Sequence, residues 1–443
     1  MTDPILTAAL AIVALVALVA AVHMPPFLAF LLVSIGVALR LGDPAGVGGD
    51  TLVRSIHAGL GGVFGRLAIT LVAGAMLGRL VVTSGAAQRI ATVLIGLAGT
   101  ERLGWALAAT GLVIGIPLFF GVAFMLLAPI LLAVVARARA PVIAVALPAC
   151  AAMSLAHGLL PPHPAPTALV GQFGADMGRT LLLGLVVTIP ALVVGGPLFA
   201  RWLHAVAATP PASIAAVLRP DDDLPGTAVS FLTALLPAYL LAGTSLVGWN
   251  TPADATAGRW LALAGSPDLV MLLSLAVAAV TLGTARRRPL REVMETYSAA
   301  IADIAPTLLV IAGSGVFSQV LVDTGVDHAL AARLRAVPLT PLLLAWGAAA
   351  VLRVCVGSAT VAGLTAAGIV APLVREAGVD PDLAVLAVGA GTLFCSHVND
   401  VAFWMFRDTF GLGFADTLRS WTAMESIVSV IALVGVVALD RLT

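Results

Sequence analysis

The chain has 443 residues, 60% of them hydrophobic and 10% charged, with 23 basic side chains balanced by 23 acidic ones. Soluble domains carry about 25% charged residues, so this composition excludes a soluble globular class, and the zero net charge offers no basic surface for nucleic acid and no polybasic lipid switch. Apolar runs long enough for a hydrocarbon core of about 30 Å recur along the whole length and mark an all-α polytopic membrane protein.

In chain order, helices are predicted at about 5–22, 26–41, 63–83, 103–136, 141–157, 178–204, 227–248, 266–283, 305–323, 338–356, 359–375, 380–396 and 420–439. Met1-Thr2-Asp3-Pro4 lacks the basic start of a signal peptide, so the first apolar stretch reads as a retained span with an external N-terminus. The 103–136 run is too long for one straight span, and Gly115, Pro117 and Gly121 predict a break or re-entrant turn in its middle. Gly357-Ser358-Ala359-Thr360 separates two later apolar runs in the same way. Segment 205–226, with Pro210-Pro211 and Asp221-Asp222-Asp223, reads as a cytoplasmic linker between membrane halves 1–204 and 227–443. Arg286-Arg287-Arg288 and Arg137/Arg139 mark the cytoplasmic side. Two spans separate the linker from the Arg286 cluster, so both should lie on one face.

The halves match at an offset of 240 residues. Val82-x-x-Gly85 meets Val322-x-x-Gly325, Ala91 meets Ala331, His157 meets His397, and Ala175-Asp176 meets Ala415-Asp416. One constant offset across four separated motifs predicts an internal duplication. With an external N-terminus the 63–83 span runs inward and the 305–323 span runs outward, which predicts inverted repeats.

Polar chemistry gathers at the matched ends. Ser154-Leu-Ala-His157-Gly-Leu-Leu-Pro161-Pro162-His163-Pro164-Ala-Pro166 places four prolines within six residues, freeing backbone groups that must line a cavity or lie inside protein. Imidazole titrates near pH 6.5 when unperturbed, so His157 and His163 suit proton exchange; the plainer reading is a solvated turn. In Ser396-His397-Val398-Asn399-Asp400, Asn399 can read hydroxyls and Asp400 can hold a proton or cation, or else cap the helix of Phe403 and Trp404. Ser358 and Thr360 sit where a helix N-terminus can receive a carboxylate, and Arg353 can pair with an anion, pair with Asp400, or snorkel to an interface. Gly74-Ala-Met-Leu-Gly78 is a small-residue helix-packing face. Cys150, Cys355 and Cys395 lie in apolar runs as small hydrophobes, and no His-Glu-x-x-His motif is present, so no metal and no cofactor are expected.

These motifs resemble the gluconate permease (GntP) family of proton-coupled sugar-acid symporters, within the ion transporter superfamily. The resemblance rests on Gly74–Gly78 with Ser84-Gly-Ala-Ala-Gln-Arg-Ile90, His157 through Pro166, Ala175–Arg179, Gly357–Ala362, Ser396–Asp400 with Phe403-Trp404, and Trp421-Thr-Ala-Met-Glu425. It implies a scaffold part, a transport part with re-entrant hairpins, a homodimer, and a multi-pass protein of the bacterial cytoplasmic (inner) membrane. The implied function is uptake of gluconate or a related sugar acid or hydroxy-carboxylate with protons. Another small carboxylate (D-glycerate or a D-serine-like molecule) is the alternative, and a membrane-embedded metalloenzyme built on His157, His163, His397 and Asp400 is the rival class. Substrate contacts are expected from Ser154, His157, His163, Ser358, Thr360, Ser396 and Asn399, and proton coupling from His157, His397 or Asp400. Two departures stand out: Phe119-Phe120-Gly121-Val122 holds glycine where the family carries an acid, and Ser318 stands where a base often precedes Gln319-Val320-Leu321. A paired loss of acid and base would be neutral.

Overall fold

The computed structural model describes residues 3–41, 49–98, 102–203, 219–248, 256–326 and 338–442, together with residues 251, 329 and 332. Among them every regular element is helical. The first half comprises α1 (Pro4–Val16, extended by a π turn to Ala21), α2 (Pro26–Leu41), α3 (Gly49–Thr83), α4 (Ala86–Ala98), α5 (Leu103–Gly115), α6 (Phe120–Ala138), α7 (Val142–Leu159), α8 (Pro164–Phe173) and α9 (Met177–Val193, continued to Trp202). The second comprises α10 (Thr227–Ala234), α11 (Leu236–Gly248), α12 (Thr256–Ala264), α13 (Pro267–Ala278, continued to Arg286), α14 (Leu290–Asp323), α15 (Pro341–Val356), α16 (Ala359–Glu376), α17 (Pro381–Gly391), α18 (Val401–Phe410) and α19 (Ala423–Asp440). Among the described residues eight helices are long and apolar enough to cross a membrane, and the pair α10–α11, bent by 58°, adds a ninth if counted as one span.

Helix starts recur at 26 and 267, 103 and 341, 120 and 359, 142 and 381, and 164 and 401, at separations between 237 and 241 residues. Helix α3 closes on Gly85 (φ 85°) and α14 on Gly325 (φ 70°), 240 residues later. These two helices run antiparallel. Ser55 Oγ donates to Asp323 Oδ2 at 2.5 Å, Arg79 pairs with Asp303, and a β-carbon on Gly59 would meet the Val316 backbone at 2.6 Å. Small residues let the helix backbones approach this closely, the main source of attraction where lipid is as apolar as leucine.

Helices α7 and α17 form the centre. All residues of α7 except Ala144 and His157 are buried, as are all of α17 except Pro381. A helix apolar on every face belongs inside such a bundle.

Several predicted boundaries move. The 103–136 run does break, with α5 ending at Gly115 and α6 beginning at Phe120. The four-proline segment is only partly irregular: Pro164 and Pro166 occupy the first turn of α8, where proline costs no intrahelical bond. Helix α14 begins at Leu290 rather than 305, because i,i+4 pairs Arg288–Glu292 (2.7 Å) and Arg291–Glu295 (3.0 Å) carry its first turns beyond the apolar stretch. The 380–396 helix ends at Gly391 and becomes turns up to Asp400. Helices α4, α8 and α12, too short to span a bilayer, were not predicted, whereas α18 is the helix of Phe403 and Trp404 that Asp400 was expected to cap. Of the expected linker 205–226, residues 205–218 lie outside the described residues. Its end is clasped by both halves: Arg89 Nη2 donates to Asp221 O (2.8 Å), and Arg286 donates to Asp223 O (2.6 Å) and Leu224 O (3.1 Å). The linker end and the Arg286 cluster therefore share one face, as the span count predicts.

Candidate functional site

The two helix breaks position the polar groups. In the second half α15 ends at Val356, and Gly357 turns the chain in the left-handed region (φ 81°). Ser358 then caps α16, its Oγ accepting from Val361 N at 3.4 Å. The first-turn amides of α16 have no intrahelical partners, and Ala359 and Thr360 carry them to the wall of a cavity. That helix N-terminus is a positive pole suited to an anion.

Arg353 folds back from α15 across the break. Its guanidinium donates to the Gly357 carbonyl and pairs with Asp400, and the arginine is 5% exposed. Asp400 also accepts from Ser396 Oγ (2.5 Å) and from Ala402 N (3.0 Å), so it caps α18 while neutralising Arg353. The capping reading of Asp400 and the pairing raised for Arg353 therefore meet in one residue. Asn399 Nδ2 donates to the freed Val354 carbonyl at 2.8 Å, and His397 Nε2 lies 3.2 Å from the same oxygen. Arg353 Nε and Asn399 Oδ1 are buried and have no protein partner.

In the first half, His157 lies in the last turn of α7 and packs edge-on against the His163 ring, with centroids 5.4 Å apart. His163 Nε2 lies 2.5 Å from the carbonyl of Gly115, the last residue before the α5–α6 break. A buried ring thus satisfies a freed carbonyl, as His397 does in the other half.

These elements enclose a cavity of about 290 Å³, at the lower end of the range of about 300–1,000 Å³ for small-molecule pockets. Of the predicted site residues, Ser154, His157, Ser358, Thr360, Asn399 and Asp400 line it. His163, Ser396 and His397 stand behind the wall, holding Gly115, Asp400 and Val354. Arg353 joins the lining, as do Phe120, Trp421 and Glu425, to which the sequence reading gave no role. A signal for Glu425 existed: it is a lone carboxyl inside the apolar 420–439 run, and an ionisable group at membrane depth is a site marker. A π turn over Leu418–Thr422 precedes it, from which Trp421 Nε1 donates to Ser396 Oγ (2.9 Å) and Thr422 Oγ1 to Ser396 O (2.6 Å). Among the described residues no group of three or more His, Cys, Asp and Glu side chains is arranged to hold a metal ion.

Asp176 and Asp416, matched at the 240-residue offset, sit in different surroundings. Asp176 caps α9 by accepting from Arg179 N (2.6 Å), while the Arg179 side chain bridges Asp380 (2.5 Å) and Asp382 (2.7 Å) at the start of α17. Asp416 lies in the first turn after Gly413, with its carbonyl accepting from Ser420 Oγ. Gly121 and Ser318 sit in different surroundings. A β-carbon on Gly121 would meet nothing within 4 Å, whereas Ser318 packs 3.9 Å from a β-carbon built on Gly368.

The sequence profile of the GntP family permeases matches residues 3–442. The chain belongs to the GntP permease family. It is 40% identical over 438 residues to the high-affinity gluconate transporter of Escherichia coli K12, covering 99% of both chains. Against the Gnt-II system L-idonate transporter of the same organism it is 39% identical over 405 residues, covering 91% of this chain and 92% of that one. Among solved structures, this permease superposes on the YdaH transporter of Alcanivorax borkumensis with a TM-score of 0.66 at 20% identity, covering 94% of this chain and 97% of that one. It superposes on the MtrF efflux pump of Neisseria gonorrhoeae with a TM-score of 0.60 at 17% identity, covering 99% and 94%. Likeness at that distance establishes the fold. This permease is a multi-pass transporter, not an enzyme.

Proposed function

We propose that this permease imports gluconate or a closely related sugar acid in symport with protons across the bacterial cytoplasmic membrane. The observation that carries the reading is the convergence, on one small cavity, of the α16 N-terminus, the buried guanidinium of Arg353 and the free acceptor of Asn399. The α16 amides and the Ser358 and Thr360 hydroxyls receive the carboxylate, while Asn399, Ser154 and the His157 end of α7 read the hydroxyls. Relatives named for gluconate and L-idonate transport support a polyhydroxy acid over another small carboxylate. Among the histidines, His157 is the one placed on the proton's path, because it lines the cavity and its buried Nδ1 has no protein partner. Asp400 is engaged by Arg353, and His397 faces Val354.

In the same reading the chain comprises inverted repeats over 1–204 and 227–443, joined by a cytoplasmic linker over 205–226, and assembles as a homodimer. The near-constant helix offset and the antiparallel run of α3 against α14 support inversion. Proteoliposomes loaded at low outside pH and offered labelled gluconate test the transport reading. Accumulation that follows the pH gradient and is lost in Asn399→Ala and His157→Ala is expected. Uptake indifferent to the gradient would remove proton coupling, and normal uptake by either variant would remove that residue's role. The particle mass in detergent, corrected for bound lipid, tests the dimer.

A further inference from the structure

The cavity wall carries four titratable side chains: His157, Arg353, Asp400 and Glu425. Arg353 and Asp400 neutralise one another, and His157 brings no fixed charge. Glu425 differs from these. It is 2% exposed, its Oε1 is buried without a hydrogen-bond partner, and among the described residues no cation forms an ion pair with it. The polar group facing it is the Ser154 hydroxyl, three residues before His157 on the same face of α7. Cys150, one turn earlier on α7, also faces it, while Arg353 from α15 and Asp400 from the turn before α18 act on it across the cavity.

An ionised carboxylate buried without a cation is costly, and at membrane depth such a group marks the path of an ion or proton. The charge balance of the cavity follows from this. With Glu425 ionised, the wall holds two carboxylates against one guanidinium, and an arriving sugar-acid anion meets net negative charge in a low-dielectric space. With Glu425 protonated, the wall is neutral, the Arg353 and α16 N-terminal donors dominate, and the anion is admitted.

We propose that Glu425 is the seat of the coupled proton and that its protonation admits the substrate anion. This deepens the proton-symport reading and rests on it. On the outer side a hydronium ion gives its proton to a Glu425 carboxylate oxygen, forming the O–H bond and leaving water. On the inner side, after the anion departs, that O–H bond breaks and water takes the proton back. His157 and Ser154, on one face of α7, line the route between Glu425 and the cavity water. Asp400 holds Arg353 in place and does not cycle.

The test compares wild type, Glu425→Gln and Glu425→Asp in proteoliposomes, by gluconate counterflow at equal pH and by accumulation under an imposed pH gradient. Glutamine fixes the neutral form at nearly the same volume. Glu425→Gln is expected to keep counterflow, at its own rate, with its dependence on pH flattened, and to lose accumulation. Glu425→Asp, which retains an ionisable carboxyl, should keep accumulation. Gradient-driven accumulation by Glu425→Gln with the wild-type pH profile would overturn the proposal. If the glutamine variant does not fold, wild-type protein in weakly buffered detergent decides: gluconate addition should draw protons from solution, and no uptake on binding overturns the proposal. Wild type failing to exchange gluconate would instead fault the substrate reading, so the two failures are distinguishable.

Discussion

A β-carbon placed on Gly357 would fall 2.1 Å from the carbonyl oxygen of Asn399, so the turn between α15 and α16 and the turn before α18 occupy each other's closest approach. The two polar tips of the second half are thus one structural unit, and only a residue without a side chain fits at their contact.

Gly357→Ala is therefore expected to be severe. The left-handed backbone alone costs an L-residue about 1–2 kcal/mol, and the methyl group must also push Asn399 away. Thermal unfolding should shift down, and gluconate uptake should be lost because the Asn399 amide and the α16 N-terminus move apart. Wild-type uptake by this variant would show that the contact is slack.

The Arg353–Asp400 pair allows stability to be separated from function. Removing one partner of a buried pair typically costs about 3–5 kcal/mol, whereas replacing both by apolar groups is often nearly neutral. Arg353→Met should unfold at clearly lower temperature than wild type, and the Arg353→Met/Asp400→Leu double variant should recover most of the loss. Neither should transport. A double variant no more stable than the single one would place the defect in packing rather than in an unpaired carboxylate.

Much of this architecture was legible in the chain, for identifiable reasons. Glycine and proline at Gly115, Pro117 and Gly357 announce broken helices, and the Ser154–Pro166 and Ser396–Asp400 segments announce polar tips because little else in those runs is polar. What escaped notice depends on length or on contact. Helices α4, α8 and α12 are shorter than a span, so a window tuned to bilayer thickness passes over them. Pro164 and Pro166 look like breakers but occupy a first turn, where they start a helix. Pairing with Asp400 was one of three fates the sequence left open for Arg353, and only the fold-back across 47 positions selects it. Glu425 was quoted as part of a motif, yet its solitary place on the cavity wall emerges only once α19 is set against α7.

Away from the cavity, Asp382 is expected to carry stability. Its carboxylate accepts from Asp176 N (3.0 Å), Thr180 Oγ1 (2.6 Å) and Arg179 Nη1 (2.7 Å), tying α9 to the start of α17. Asp382→Ala removes charge-assisted bonds and strands their donors, for a loss of about 3 kcal/mol. Asp380→Ala should be milder, since Asp380 is the more exposed of the two (18% against 4%). Melting temperatures of the two variants check the order; equal losses would contradict it.

Gly121→Glu probes the departure from the family pattern. A side chain there enters open space, and a carboxylate in the first turn of α6 gains about 0.3–1 kcal/mol from the helix dipole. The variant should fold as well as wild type, while Phe120 beside it, on the cavity wall, brings the new charge near the transported anion. A raised KM for gluconate with unchanged thermal stability is expected. A large fall in melting temperature would show that position 121 is not open.

The π turn at Leu418–Thr422 sets the rotational phase of the last helix. A helix turns by about 100° per residue, and the wider turn holds one residue more than a regular one would. Upstream of it the helix is keyed to Phe414 and the α18 aromatics; downstream, the same rod must aim Glu425 inward and Val430 and Val434 towards lipid. Deleting one residue within 418–422 would close the wide turn into a regular one and leave both flanks aimed as before. A deletion between Ala423 and Val430 would instead rotate the stretch beyond it by that angle and turn Val430 and Val434 away from lipid. The bulge acts as a gear tooth that lets one continuous helix serve two compasses.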